Sequence, residues 1–162
     1  GMSFHGGLLG IIIATIFFSH KKKLNELTLL DTVSCVAPVG IFFGRLANFV
    51  NGELYGKPTD LPWAVTFPLI DYQGRHPSQI YEALLEGVLL FLILNIVIKK
   101  NKYKQGECAA LFLIFYSIFR ITSEFFREPD LQIGYIFHYV SMGSILSFIM
   151  FCSGIIMYIK IK

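Results

Sequence analysis

Long apolar blocks constrain the fold of this sequence more than any other feature. Five of them are long enough, or nearly so, to span a bilayer: Phe4 to Ser19, Leu29 to Val50, Gln79 to Ile98, Cys108 to Phe126, and Tyr135 to Ile159. A transmembrane helix needs about 20 predominantly apolar residues, with a range of about 17 to 25. We therefore predict an all-α integral membrane protein, in which residues 1–162 form a single membrane domain of five transmembrane helices.

The composition argues against the other classes. Hydrophobic residues make up 54% of the chain and charged residues only 15%, whereas soluble domains carry about 25% charged residues. The net charge of +3 is small, and the lysines lie in short clusters between apolar blocks, so no nucleic-acid partner is expected. The three cysteines lack CxxC spacing, which predicts free thiols and neither a disulfide nor a metal site. No cofactor is expected.

The distribution of basic residues predicts the orientation. Nine lysines follow the first, third and fifth blocks, whereas the other two connections carry only Lys57, Arg75 and Arg127. Because basic residues concentrate on the cytoplasmic side, the lysine-rich side is predicted to be cytoplasmic and the loop 51–77 extracytoplasmic. That loop contains four of the six prolines and an apolar stretch, Trp63 to Phe67, that is compatible with a short strand.

Polar residues interrupt the apolar blocks mainly at one level, near the extracytoplasmic ends. Helical spacing places Tyr116, Arg120 and Glu124 on one face of their helix, because they are four residues apart. Glu82 and Glu86, also four residues apart, share a face of the third predicted helix. Arg45 and Asn48, three residues apart, share a face of the second. We expect two arginines and three carboxylates to line a shared cavity at this level, where the polar residues are His5, Arg45, Asn48, Glu82, Glu86, Arg120, Glu124 and His138.

A purely structural interpretation stays open for each of these residues. Arginines near helix ends can extend to the lipid headgroups, and Arg120 with Glu124 can be an ion pair within one helix turn. Interfacial histidines such as His5 are common, and His76 before Pro77 can simply shape a turn. The remaining carboxylates of the layer, Glu82 and Glu86, are expected to act as counter-ions for the arginines.

The polar layer also suggests a chemistry. Arginine has a planar fork of donors that suits phosphate oxygens, so two arginines at headgroup depth indicate an anionic phospholipid. A neutral histidine nearby can accept a proton. Since the layer contains no suitable serine or cysteine nucleophile, direct displacement on the lipid is favoured over a covalent enzyme intermediate.

Four stretches resemble one known family in the same order. The sequence GRLANFVNGELYGKPTD, from Gly44 to Asp60, resembles the prolipoprotein diacylglyceryl transferase signature GRxGNFxNGExxG, with Ala47 where the family usually has glycine. The other stretches are GMSFHGGLLG from Gly1, RHPSQIYEALLEG from Arg75, and FRITSEFFREPD from Phe119. This resemblance implies a multi-pass enzyme of the bacterial inner membrane with its active site on the extracytoplasmic side. Its reaction would transfer the diacylglyceryl group of phosphatidylglycerol to the lipobox cysteine in a prolipoprotein signal peptide, releasing glycerol 1-phosphate.

The resemblance also implies roles for individual residues. Arg45 and Arg120 would bind the lipid phosphate and stabilise the leaving group, and His5 is the candidate base for the thiol. The expected substrate-binding residues are Arg45, Asn48, Glu53, Gly56, His76, Tyr116, Glu124 and Arg127. Within this set Asn48, Glu53 and Gly56 would shape the signature segment. Glu124 and Arg127 would order the Arg120 side of the site, and His76 and Tyr116 are secondary candidates.

The beginning of the sequence departs from the family pattern. Family members carry further chain before the GMSFHGG stretch, including membrane helices and a tyrosine-bearing segment. With no signal peptide evident at Gly1, we expect an N-terminally truncated member: a fragment, a split-gene product or a truncated reading frame. The alternatives to an active transferase are an inactive remnant and a non-catalytic lipid or anion binding or transport protein. The sequence shows no paired halves with interrupted helices, which are typical of many transporters.

Overall fold

The computed structural model describes residues 4–99, 103–128, 135–136 and 140–162, and this part of the chain is mostly helical. Its helices are α1 (Phe4–Lys22), α2 (Glu26–Asn51), α3 (Ser78–Lys99), α4 (Glu107–Glu124) and α5 (Met142–Ile161). The strands β1 (Val65–Thr66) and β2 (Gly74–Arg75) pair antiparallel, as do β3 (Tyr135–Ile136) and β4 (Val140–Ser141). Within the described residues, α2, α3 and α5 are long and apolar enough to cross a membrane, which indicates a multi-pass membrane protein.

The helix bounds differ most from prediction in the last block. The predicted start of the fifth helix at Tyr135 is wrong, because Tyr135 and Ile136 form β3 and the helix begins only at Met142. Hydropathy cannot separate an apolar strand from an apolar helix, and aromatic and β-branched residues favour extended backbone. His138, which was expected to open this helix, lies outside the described residues.

Helix α2 has clear signals at both ends. The side chain of Asn25 caps its start by accepting a hydrogen bond from the Thr28 N–H at 3.1 Å. Gly52 ends it in the left-handed conformation, with φ of 69°, which glycine adopts without steric cost. These ends place Arg45 two turns before the loop 51–77.

The helices pack closely through small residues. A Cβ on Gly87 of α3 would lie 2.7 Å from the Phe42 Cβ of α2, and one on Gly154 of α5 would lie 3.1 Å from the Ala110 carbonyl oxygen of α4. Small residues allow such close approach between membrane helices. The buried core between these helices contains Cys35, Leu90, Leu94, Cys108, Phe112, Tyr116 and Met150.

A buried carboxylate fixes the lysine-rich end of α4 to α2. Asp31 accepts hydrogen bonds from the N–H groups of Gly106, at 2.7 Å, and Ala109, at 2.9 Å. These N–H groups lie at the start of α4, where the backbone has no intrahelical acceptors. The three cysteines are free, as predicted, and Cys35 and Cys108 are buried near this contact.

Candidate functional site

The carboxylate of Glu82 lies at the centre of a buried charge cluster. Glu82 is on the first turns of α3 and is fully buried. Its Oε2 is 2.9 Å from Arg45 Nη1 of α2, and its Oε1 accepts a hydrogen bond of 2.8 Å from Arg120 Nη1 of α4. A single carboxylate therefore connects three helices.

Two further carboxylates hold the same arginines. Arg45 Nη2 donates to Glu86 Oε2 at 3.1 Å, and Arg120 Nη2 lies 2.9 Å from Glu124 Oε2. The side chains of the two arginines are only 15% and 11% exposed. Because a buried charge is costly unless it is paired, each guanidinium is held in one orientation by two carboxylates.

The structure also adds a third arginine to the cluster. Arg127 Nη1 lies 3.9 Å from Glu82 Oε1, and the Arg127 side chain is buried. The cluster thus comprises three arginines and three glutamates, whose formal charges balance. We refer to it as the arginine–glutamate cluster, formed by Arg45, Arg120, Arg127, Glu82, Glu86 and Glu124.

Helix α3 changes its winding within this cluster. A π-helical segment, Ala83–Leu89, starts directly after Glu82 and contains Glu86. Such wider turns are frequent at functional sites. The close contact of Gly87 with Phe42 brings this segment against α2, so that both glutamates reach Arg45.

The loop 51–77 folds into a cap that is hydrogen-bonded to the residues at the end of α4. The Gly56 N–H donates to the His76 carbonyl at 3.1 Å, and the Lys57 N–H donates to the Phe126 carbonyl at 2.9 Å. Gly56 also forms a β-bridge with Arg127. A Cβ on Gly56 would lie 2.6 Å from the His76 Cβ and 2.7 Å from the Phe126 oxygen, so no larger side chain fits at this position.

Arg75 stabilises the cap from inside. Its Nη2 lies 2.6 Å from Asp71 Oδ2, and its Nη1 donates to the Gly56 carbonyl at 3.0 Å and to Glu128 at 3.3 Å. Its guanidinium also lies over the Tyr55 ring, 4.8 Å from the centroid. The hydrogen bonds to Asp71 raise the pKa of Arg75 and hold the pKa of the Asp71 carboxyl below its usual range.

His76 belongs to a short hydrogen-bonded chain on the same cap. Its Nδ1 lies 3.3 Å from the Tyr81 hydroxyl, which accepts a hydrogen bond of 2.8 Å from Trp63 Nε1. Since the Tyr81 oxygen already accepts from Trp63, its own proton can go to His76 Nδ1. In that arrangement the Nε2 of a neutral His76 carries the hydrogen and acts as a donor.

The other predicted residues lie on α1, α2 and α4 or directly after α2. Asn48 is half-buried on α2, and Glu53 is exposed, with its N–H donating to the Asn48 carbonyl at 2.9 Å. Tyr116 is buried one turn before Arg120 and interacts electrostatically with Glu86 and Arg45. His5 lies in α1, but its side chain is outside the described part of the structure.

A cavity of about 300 Å³ lies beside the cap, where residues 49–52 and 65–70 line it. The charged side chains of the arginine–glutamate cluster pair directly with one another. The shared cavity expected at the level of these residues stays a prediction. Sequence reasoning also missed the role of Arg75; the signal that could have found it was Asp71, four residues earlier in the loop.

Comparison with known proteins identifies the family. The family model described as prolipoprotein diacylglyceryl transferase matches residues 1–160. The chain belongs to this family. Similar relatives carry the name phosphatidylglycerol–prolipoprotein diacylglyceryl transferase: one from Rickettsia bellii is 54% identical over 162 residues, and one from Rhodospirillum rubrum is 51% identical over 162 residues. Another, from Aeromonas salmonicida, is 50% identical over 157 residues.

These alignments cover the two partners unequally. They include 99%, 98% and 97% of this member of the diacylglyceryl transferase family, but only 62%, 59% and 57% of the three relatives. The chain therefore spans about three fifths of the length of the curated relatives it matches. The matched part contains the whole arginine–glutamate cluster and the cap.

Proposed function

We propose that the protein transfers the diacylglyceryl group of phosphatidylglycerol to the lipobox cysteine of a prolipoprotein, the first step of lipoprotein maturation. The family and the printed names of its relatives support this function. The observation that carries it is the pair of arginines from separate helices, Arg45 and Arg120, held side by side by Glu82. Two guanidinium groups fixed in this way match the phosphate of an anionic lipid.

The pairing with carboxylates still leaves donors for a phosphate. A guanidinium has five N–H donors, and the ion pairs of Arg45 engage one donor on Nη1 and one on Nη2. The free donors can bind phosphate oxygens while Glu82 and Glu86 keep the fork in place. A cluster with balanced charges is also less costly to bury before the lipid arrives.

The proposed step is a direct displacement at carbon. The thiolate of the lipobox cysteine attacks the glycerol carbon that bears the phosphate ester, forming the thioether and breaking the carbon–oxygen bond. The electron pair of that bond remains on the leaving phosphate, so glycerol 1-phosphate departs with one more negative charge. Arg45 and Arg120 stabilise this charge as it develops, and the thiol proton goes to a base, for which His5 is the candidate.

The remaining residues are proposed to shape the site. Asn48, Glu53 and Gly56 would hold the signature segment, and Glu124 and Arg127 would order the Arg120 side. His76 and Tyr116 are secondary candidates for substrate contact. Support comes from the Gly56–His76 and Gly56–Arg127 contacts of the cap and from the Arg120–Glu124 ion pair.

We further propose that all five helices cross the bacterial inner membrane, with the cap outside. The lysines on the opposite side support this orientation. The test uses a membrane-impermeant thiol reagent on intact cells that carry a single added cysteine. Gln73→Cys in the cap should react and Lys22→Cys at the end of α1 should not; both residues are exposed. Reaction at Lys22→Cys alone would invert the topology.

The function is tested by diacylglyceryl transfer from radiolabelled phosphatidylglycerol to a lipobox peptide. The assay uses membranes of cells that express the protein from its own gene. Arg45→Lys and Arg120→Lys should each lose most of the transfer, because lysine keeps the charge but not the planar fork. Absence of transfer by the wild type would contradict the proposed activity. Near-normal transfer by both variants would contradict the role of the arginines.

A further inference from the structure

Residues 61–70 of the cap are unusually apolar for a segment outside the helices. The sequence LPWAVTFPLI contains no charged residue, and Asp60 and Asp71 flank it. We refer to it as the apolar cap segment. Connecting segments that run through water are usually polar. We therefore expect a partner to cover the exposed apolar side chains of this segment.

The apolar cap segment has an inner and an outer side. Phe67 points inward and is 6% exposed. The centroid of its ring lies 6.0 Å from the ring centroids of Phe49 and Tyr55. Leu69 and Trp63 point outward and are 90% and 56% exposed. The inner contact fixes the segment to the end of α2, and the outer side presents apolar surface.

This outer surface is continuous with an exposed apolar stripe on α2. The stripe consists of Val36, Val39, Phe43 and Val50, whose spacing places them on one helix face. Val50 at its end is 82% exposed. The cavity of about 300 Å³ is lined by residues 49–52 on one side and 65–70 on the other, so the stripe leads directly to the apolar cap segment.

We propose that the outer side of the apolar cap segment lies in the interfacial layer of the membrane and that its partner is the lipid surface. The inference uses the proposed membrane crossing of α2 but not the transferase activity. If α2 crosses the bilayer, its exposed stripe contacts lipid, and the cap continues that surface at headgroup level. Trp63 suits this place, because tryptophan is enriched at membrane interfaces.

The contacts of Trp63 fit the same position. Its Nε1 donates to the Tyr81 hydroxyl at 2.8 Å, which satisfies the polar edge of the indole, while much of the remaining ring is exposed. A surface that recognised a charged partner would need charged side chains, and the apolar cap segment has none. A second copy of the chain or another protein segment is therefore an outcome of the test and not the occupant proposed here.

The test uses Trp63 as a reporter, since it is the only tryptophan in the 162-residue sequence. The protein is placed in nanodiscs of phosphatidylcholine and phosphatidylglycerol, and its fluorescence is quenched from either side. Lipids with a nitroxide near the headgroup should remove most of the emission, and aqueous iodide should remove little. Strong iodide quenching with little nitroxide quenching would place the cap in water and overturn the proposal. Protection from both quenchers would show that protein covers the segment and would also overturn it.

A matched pair of variants repeats the quenching measurement with the tryptophan moved to position 67 or to position 69. In a Trp63→Phe background, Leu69→Trp puts the reporter on the outer side and Phe67→Trp puts it on the inner side. The nitroxide lipid should quench the first severalfold more than the second. Equal quenching would contradict the inferred orientation. The readout needs no transfer activity, so its result is independent of the proposed function.

Discussion

The same two helices, α2 and α4, are joined by a buried carboxylate at each end, and the two carboxylates have different kinds of partner. At the lysine-rich end, Asp31 accepts hydrogen bonds from the backbone N–H groups of Gly106 and Ala109. At the other end, Glu82 contacts the guanidinium groups of Arg45 and Arg120. Both carboxylates are at most 2% exposed.

This difference separates a structural contact from a candidate site. The N–H groups at the start of α4 are fixed by the helix, and the interaction with Asp31 satisfies them. The arginines around Glu82 are side chains with further donors, so they can also bind a ligand. A buried carboxylate alone therefore does not identify a site, whereas side-chain donors from several helices do.

The largest expected effect on stability comes from removing the charge at the centre of the cluster. Glu82→Gln leaves three arginines facing two carboxylates, and an unpaired buried charge costs about 3–5 kcal/mol. The free energy of unfolding in detergent should fall by about this amount. It can be measured through the reaction of the buried thiols, Cys35 and Cys108, with a fluorogenic thiol reagent during heating.

Glu53→Gln is the matched control for this variant. Glu53 is exposed, and surface substitutions usually change stability by less than about 0.5 kcal/mol. If both variants unfolded at the same temperature, the Glu82 carboxylate would not stabilise the folded protein as expected.

A smaller effect is expected from Gly56, which connects the cap to α4. Gly56→Ala introduces a Cβ against His76 and Phe126, and such overpacking costs about 1–3 kcal/mol. Amide hydrogen exchange should show faster opening of the cap, with α2 unaffected. Gly40→Ala is the control, because an added Cβ there meets nothing within 4 Å; equal exchange in both variants would contradict the tight contact.

Asp31 tests the other side of the comparison. Asp31→Asn keeps the size of the side chain but loses one acceptor for the N–H groups of Gly106 and Ala109. An unsatisfied buried N–H costs about 1–3 kcal/mol, so the unfolding temperature should fall. Transfer per folded molecule should stay unchanged, since Asp31 lies outside the arginine–glutamate cluster. A loss of transfer without a loss of stability would give Asp31 a functional role.

The smallest expected effect concerns pH. The hydrogen bonds from Arg75 lower the pKa of Asp71 in the folded protein. This interaction stabilises the cap above the unfolded pKa of about 3.9, and its contribution is lost as the pH falls through the folded pKa. Amide protection of the cap should therefore fall less between pH 6 and pH 3 in Asp71→Asn than in the wild type. Glu128 also faces Arg75, so part of the dependence should remain; an unchanged dependence would exclude Asp71.

Helical spacing and charge placement predicted much of the cluster. Arg45, Glu82, Glu86, Arg120 and Glu124 were expected at one level because they interrupt apolar blocks near the same end, and the structure brings them together. Spacing could not show which carboxylate each arginine pairs with. Those pairings depend on how closely the helices pack, as where Gly87 of α3 lies against Phe42 of α2.

Other features left weaker signals in the sequence. Asp31 also interrupts an apolar block, but its partners are backbone N–H groups, which no side-chain pattern reveals. The π-helical segment after Glu82 has no compositional signature here. The start of α5 at Met142 was missed because hydropathy continues unchanged through the preceding strands β3 and β4.

The most direct test of the central claim compares how one variant at each end of the α2–α4 pair changes lipid binding. Equilibrium binding of radiolabelled phosphatidylglycerol to the purified protein in detergent would be measured for the wild type, Arg120→Lys and Asp31→Asn. The account predicts that Arg120→Lys weakens binding by at least about tenfold, which is about 1.4 kcal/mol, while Asp31→Asn binds like the wild type. Equal affinity of all three proteins would contradict the claim that the arginine–glutamate cluster binds the lipid phosphate.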